Sequence, residues 1–196
     1  MRIKSRLIFF NPKKPASYFF QMQRDTAKTI SAAVAAIYFL WCAYDPSKAV
    51  FPHLVHTPIH EAGHVLFRLF GEFMGVAGGS LLQVVVPVVF FGYFVYHRKP
   101  FSASTVLFWV GQSITDVYVY AGDAAVMQLP LLSGLTGAEG GFHDWNYLLT
   151  ETGLLGSTPV IAKIIRLTGT LIIFAAIIGS FLYAVKGEEI LTDTDL

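Results

Sequence analysis

The sequence predicts an all-α, polytopic membrane protein, with about four transmembrane helices and one further membrane-inserted helix that carries His60-Glu61-Ala62-Gly63-His64. Three observations predict it. Of 196 residues, 54% are hydrophobic and only 14% are charged, where soluble domains carry about 25% charge; the mean hydropathy is +0.56. Uncharged apolar runs recur at lengths close to the roughly 20 residues that a bilayer requires of a helix. Lys and Arg collect beside those runs instead of inside them, as orientation by the positive-inside bias requires.

The balance of charge excludes some partners. A formal net charge of +1 offers no broad basic surface for nucleic acid. Cys42 is the one cysteine, so no internal disulfide framework exists.

Taken in order, residues 1–28 form a basic segment with Arg2, Lys4, Arg6, Lys13, Lys14, Arg24 and Lys28 around Tyr18-Phe19-Phe20, expected on the cytoplasmic side. A cleaved signal peptide fits poorly, because the basic stretch is long and no small-residue cleavage site follows the apolar run. Residues 29–185 are expected to form one membrane-embedded domain and 186–196 an acidic tail. The run Thr29–Tyr44 is the first span. Residues 45–57 contain Pro46 and Pro52 and read as a loop. Pro58 suits the first turn of a helix, where its missing N–H costs nothing, so the His60–His64 helix is expected to start there. The glycines between Gly75 and Gly79 are expected to end it. Residues 78–96 are uncharged and form the second clear span, followed by His97-Arg98-Lys99. Residues 103–121 are a weaker span containing Gln112 and Asp116. Residues 129–141 read as loop, 144–155 as a short helix capped by Asp144, and 167–185 as the last span. The N-terminus and His97-Arg98-Lys99 share the cytoplasmic side if the His60–His64 helix enters and leaves by one face.

The His-Glu-Ala-Gly-His segment carries the chemistry. Four residues apart on a helix, His60 and His64 put both imidazoles on one face, the spacing of two ligands to one zinc ion. Glu61 stands beside them as a general base for a zinc-bound water. With six His in 196 residues, a chance occurrence of this pattern has a probability of about 0.5%, a small false-positive risk. Ionisable groups in an apolar helix are costly and mark function. A third ligand must come from elsewhere. Position 70, six residues after the second His, is Phe70, and Glu72 lies about 12 Å along the helix from His64. The remaining choices are His143 first, Asp144 second and Asp123 third.

Gln112, Asp116 and Asp123, with Tyr120 beside them, recur on one helical face that must turn to protein or water. They either line a substrate path, support the ligands, or hold helices together. Gln83 is the polar residue of the second clear span, for packing or for substrate backbone. His53 and His56 read as interface residues, and Trp41 and Trp109 as interfacial aromatics.

These residues resemble the site-2 protease family of intramembrane zinc metalloproteases. The likeness is greatest to a bacterial branch, in Gly78-Gly79-Ser80-Leu81 with Gln83, in Asp123 before Leu129-Pro130-Leu131, and in His143-Asp144-Trp145. It covers roughly residues 53–155, and the Asn-Pro-Asp-Gly type of ligand motif usual in that family is absent. The resemblance implies His60 and His64 as zinc ligands, Glu61 as catalytic base, and membrane-associated peptides or proteins as substrates. The expectation is therefore a multi-pass integral membrane zinc metallopeptidase, in the inner membrane if the source is bacterial. The alternatives are a membrane zinc hydrolase of a non-peptide amide or ester, and a non-catalytic metal-binding membrane protein.

Overall fold

The computed structural model describes residues 24–48 and 50–185. The basic segment before Arg24 and the acidic tail after Val185 lie outside the described residues. What is described is all-helical: α1 (Thr26–Tyr44), α2 (Val50–Phe67), α3 (Glu72–Tyr96), α4 (Pro100–Gly122), α5 (Asp144–Glu151) and α6 (Thr158–Leu182), with short 3-10 turns between them. Three helices are long and apolar enough to cross a membrane: α1, α3, and α6 with the 3-10 turn before it.

Local chemistry sets most boundaries. The Asp25 side chain accepts from Lys28 N at the start of α1, satisfying one of the donors left free in a first turn. Pro100 opens α4 and Pro159 stands in the first turn of α6, positions where no helix donor is lost. Two sequence expectations fail here. Pro58 does not start the His60–His64 helix, which begins at Val50 and holds Pro58 inside it; the proline only deletes the bond to the Leu54 carbonyl, on a face where Leu54 is exposed. Nor do Gly75–Gly79 end a helix. They lie within α3, and the break falls earlier, at the 3-10 turn Arg68–Phe70 and at Gly71 with φ of 100°, a conformation open to glycine.

The glycines make a surface instead of a stop. A methyl on Gly63 would overlap the Gly78 carbonyl oxygen, and one on Gly78 would meet Phe67 Cβ at 2.5 Å. The backbones of α2 and α3 are thus in contact, the close approach that small residues permit. Gly111 and Gly169 do the same for α4 against α6, the most extensive pairing in the fold. A core of Phe108 and Ile173 set among Ala36, Ala43 and Ala176 joins α1, α4 and α6, with Phe39 stacked on Phe108 at 5.1 Å.

The polarity of this arrangement is inverted relative to a water-soluble domain. Val34, Val89 and Leu171 are each more than half exposed, whereas Gln112, Ser113, Thr115 and Asp116 of α4 are buried. Polar groups therefore collect on the inner helix and apolar ones face outward.

The two ends of the bundle are distinguishable. At one end Asp25 N donates to the Ala184 carbonyl (3.1 Å), and Lys28 Nζ donates to the Val185 carbonyl and lies over the Phe101 ring. At the other, Arg166 donates to the Tyr44 carbonyl (3.2 Å) and covers the Tyr118 ring. α3 runs antiparallel to α4, with Phe90 on Trp109 and Gln83 on Asp116. Hence α3 starts near the Tyr44 end, and His97-Arg98-Lys99 sits at the end that holds Lys28. Both flanks of α2 belong to the Tyr44 end.

Candidate metal centre

The site forms where α2 crosses α3 and the start of α5 closes over them. His60 and His64 stand one helical turn apart on α2, ring centroids 4.7 Å apart. Each has its Nδ1 committed. His64 Nδ1 lies 2.9 Å from the Gly75 carbonyl, which can only accept, so Nδ1 carries the hydrogen and donates. His60 Nδ1 lies 3.1 Å from Gln83 Oε1, and Gln83 spends its amide N–H groups on Asp116 Oδ2 (2.8 Å) and the Ser113 carbonyl. His60 Nδ1 is therefore also a donor. In neutral imidazole that leaves both Nε2 atoms as bare acceptors.

Both of those acceptors face another acceptor. Asp144 Oδ2 lies 3.0 Å from His60 Nε2 and 3.2 Å from His64 Nε2. Three lone-pair groups cannot hold one another; a cation must lie among them, either a proton on each imidazole or one metal ion shared by all. Nitrogen and oxygen ligands about 2.0–2.1 Å from a tetrahedral zinc stand about 3.3 Å from each other, close to the separations seen. Glu61 offers a fourth group: one donor atom each from His60, Glu61 and His64 lie within 4.8 Å of one another. Asp144 approaches the imidazoles closer than that and is buried, while Glu61 is exposed. Asp144 thus has the posture of a ligand and Glu61 that of a base beside it.

Gly79 shapes the floor. A Cβ there would lie 2.5 Å from His60 Nε2 and 2.7 Å from His64 Nε2. Gly79→Ala is expected to push both rings aside, with about 1–3 kcal/mol lost to overpacking, readable by thermal melting.

The start of α5 is held in place by its neighbours. Tyr120 Oη accepts from Asp144 N (3.0 Å), Trp145 Nε1 donates to Ser80 Oγ (3.1 Å), and Asn146 Nδ2 donates to the Ala124 carbonyl (2.8 Å). Burial pushes the Asp144 carboxyl up; with a proton on each imidazole, hydrogen bonds from His60 and His64 outweigh that and hold it below its ordinary range.

His143, the first choice from sequence for third ligand, is turned away from the pair. It is the N-cap of α5, in place of the expected Asp144: its Nδ1 accepts from Asn146 N (3.2 Å). Its Nε2 then carries the hydrogen and meets Asp123 Oδ2 at 3.2 Å, so neither ring nitrogen has a lone pair left for a metal. Asp123 in turn accepts from Gln128 N (3.0 Å) and Leu129 N (2.9 Å), pinning the loop after α4.

The polar stripe of α4 divides. Asp116 is buried and bound to His53 and His56, whereas neither amide atom of Gln112 has a hydrogen-bond partner among the described residues. His56 is not an interface residue, being 1% exposed. Gln83, read from sequence as a residue for packing or for substrate backbone, is buried and bridges His60 on α2 to Asp116 and Ser113 on α4. Sequence reasoning gave Gly79 a helix-ending role and not a place beneath the imidazoles, and gave the Gly75 carbonyl none.

A cleft of about 1080 Å³ opens on the pair, lined by His60, Glu61, His64, Asp144, Tyr120 and the apolar strip Leu129–Leu132. Its volume lies at the upper end of the range of ligand-binding clefts, about 300–1,000 Å³. No protein-family model, curated protein or solved structure matches this chain.

Proposed function

We propose that this chain is a multi-pass membrane zinc metalloprotease of the site-2 protease kind, with His60, His64 and Asp144 as metal ligands and Glu61 as general base. The observation that carries the reading is the convergence of two imidazole Nε2 lone pairs on one carboxylate oxygen, each imidazole oriented by a partner on its far nitrogen. Such partners set the tautomer of metal-bound histidines and raise their basicity. Zinc held by His60, His64 and Asp144 would lower the pKa of a bound water towards neutrality. Glu61, beside the pair, would accept a proton from the attacking water and return it to the departing amine. The strip Leu129–Leu132 gives apolar substrate side chains a wall. A helical substrate must unwind to enter, because a helix hides its amides in internal bonds.

The membrane part of the reading is supported by the three apolar helices and by the outward-facing valines and leucines. With α4 as a fourth crossing and α2 re-entrant from the Tyr44 end, Lys28 and His97-Arg98-Lys99 fall on one side, the cytoplasmic one by the positive-inside bias. Single cysteines at Ser47 and His97, in a Cys42→Ser background, test this in intact cells with a membrane-impermeant maleimide. Position 47 is expected to react, and position 97 only after permeabilisation. Labelling at position 97 in intact cells refutes the re-entrant arrangement. The metal is tested by elemental analysis of the purified chain after dialysis, with one zinc per chain expected. A zinc-free chain that reloads none overturns the reading.

A further inference from the structure

Beneath the candidate ligands lies a second polar cluster, which hydrolysis itself does not use. Asp116 on α4 receives three contacts: His53 Nδ1 on Oδ1 (3.1 Å), His56 Nδ1 on Oδ2 (3.1 Å) and Gln83 Nε2 on Oδ2 (2.8 Å). The far nitrogen of His56 faces Trp109 Nε1 and Ser113 Oγ, each at 3.1 Å. An indole N–H can only donate, so His56 Nε2 accepts and its Nδ1 holds the hydrogen that goes to Asp116.

The direction of every bond in this chain is then determined. A carboxylate accepts only, and so does the Ser113 carbonyl at 3.4 Å from Gln83 Nε2. The Gln83 amide must therefore turn its NH2 to α4 and its Oε1 to His60. A flipped amide would set Oε1 against two acceptors at once, the Asp116 carboxylate oxygen and the Ser113 carbonyl, a repulsive contact in a buried site. With Oε1 toward His60, Nδ1 of that ring donates and Nε2 is left as the lone pair.

We propose that Asp116 is a positioning residue for metal binding: acting through Gln83, it selects the His60 tautomer whose Nε2 can ligate. The inference rests on the metal reading above and adds a device to it. Three helices contribute: α4 supplies the carboxylate, α3 the amide, and α2 the ligand. His64 has no such chain, because its Nδ1 uses the Gly75 carbonyl, a group that cannot flip. The backbone fixes one ligand and a side-chain relay fixes the other.

The experiment is a competition titration of zinc with a chromophoric chelator on the full chain in detergent, for wild type, Gln83→Met, Asp116→Asn and the double variant. Removing outer partners of metal ligands costs about 10–100-fold in affinity. Gln83→Met keeps the length and volume of the side chain, leaves Asp116 with its two histidine donors, and is expected to weaken zinc by that factor. Asp116→Asn is expected to do the same, because its amide can reverse Gln83. The double variant is expected to be no weaker than Gln83→Met alone, since Asp116 reaches His60 only through Gln83. Independent packing roles would instead multiply the two losses. If Asp116→Asn does not fold, Gln83→Met still decides: binding as tight as wild type overturns the relay. Wild type that holds zinc while both single variants match it sinks the relay alone. Wild type that holds no zinc sinks the metal reading, and the relay with it.

Discussion

Glu61→Gln is expected to lower hydrolysis of a quenched fluorescent peptide library by about 100-fold or more, with zinc content unchanged. The two halves of that expectation come from different features. Retention of metal follows from the ligands: His60, His64 and Asp144 already converge within 3.2 Å, and Glu61, exposed to the cleft, adds nothing they need. Loss of turnover follows from proton transfer, because an amide has the size and shape of the carboxylate but cannot take up the proton of a bound water. Loss of zinc together with activity would make Glu61 a ligand in place of Asp144. Full activity without the carboxylate would remove the hydrolytic mechanism and leave a metal-binding membrane protein.

How much of this was legible in the sequence depends on the range over which each residue acts. Helical spacing is a local property, so His60, Glu61 and His64 could be placed on one face from their numbers alone. The apolar runs likewise located α1, α3 and α6, because length and hydropathy act within a segment. What failed was whatever depended on a neighbouring helix. Gly78 and Gly79 look like helix breakers in isolation, yet against α2 each missing side chain becomes contact area, while Gly75 packs on Arg68 of the 3-10 turn. Pro58 looks like a helix start, yet α2 already exists eight residues earlier. His56 looks like a loop residue until Asp116, sixty positions away, is brought against it. For Gln112 the outcome is different: it is buried with no hydrogen-bond partner for its amide among the described residues, and neither sequence nor packing explains it. The adjacent pair His143 and Asp144 shows the limit most clearly. Both have ligand chemistry, and only the cap decides between them. The extended backbone of His143, φ −107° and ψ 107°, lets its Nδ1 accept from Asn146 N in the first turn of α5, while Asp144 Oδ2 meets the His60–His64 pair.

That division between neighbours yields the second large effect. His60→Ala, His64→Ala and Asp144→Ala are each expected to leave the dialysed chain without zinc, because two remaining ligands make a poor site for a metal that wants three from the protein. His143→Ala is expected to retain it. The cost of His143→Ala should appear as stability instead: loss of the cap on α5 is worth about 0.5–2 kcal/mol, and Asp123 loses its partner from the ring. Elemental analysis reads the first quantity and denaturant or thermal melts read the second, so the two neighbours are expected to separate cleanly, Asp144 by metal content and His143 by midpoint. Asp123→Ala should behave as His143→Ala does, since its carboxylate binds the loop and the cap and not the imidazole pair. The opposite pattern, an empty site in His143→Ala with full zinc in Asp144→Ala, would mean that α5 turns on metal binding and that His143 is the third ligand. The Asp144 contacts would then be those of a protonated, metal-free pair, with the hydrogen on each imidazole taking the place assigned here to zinc.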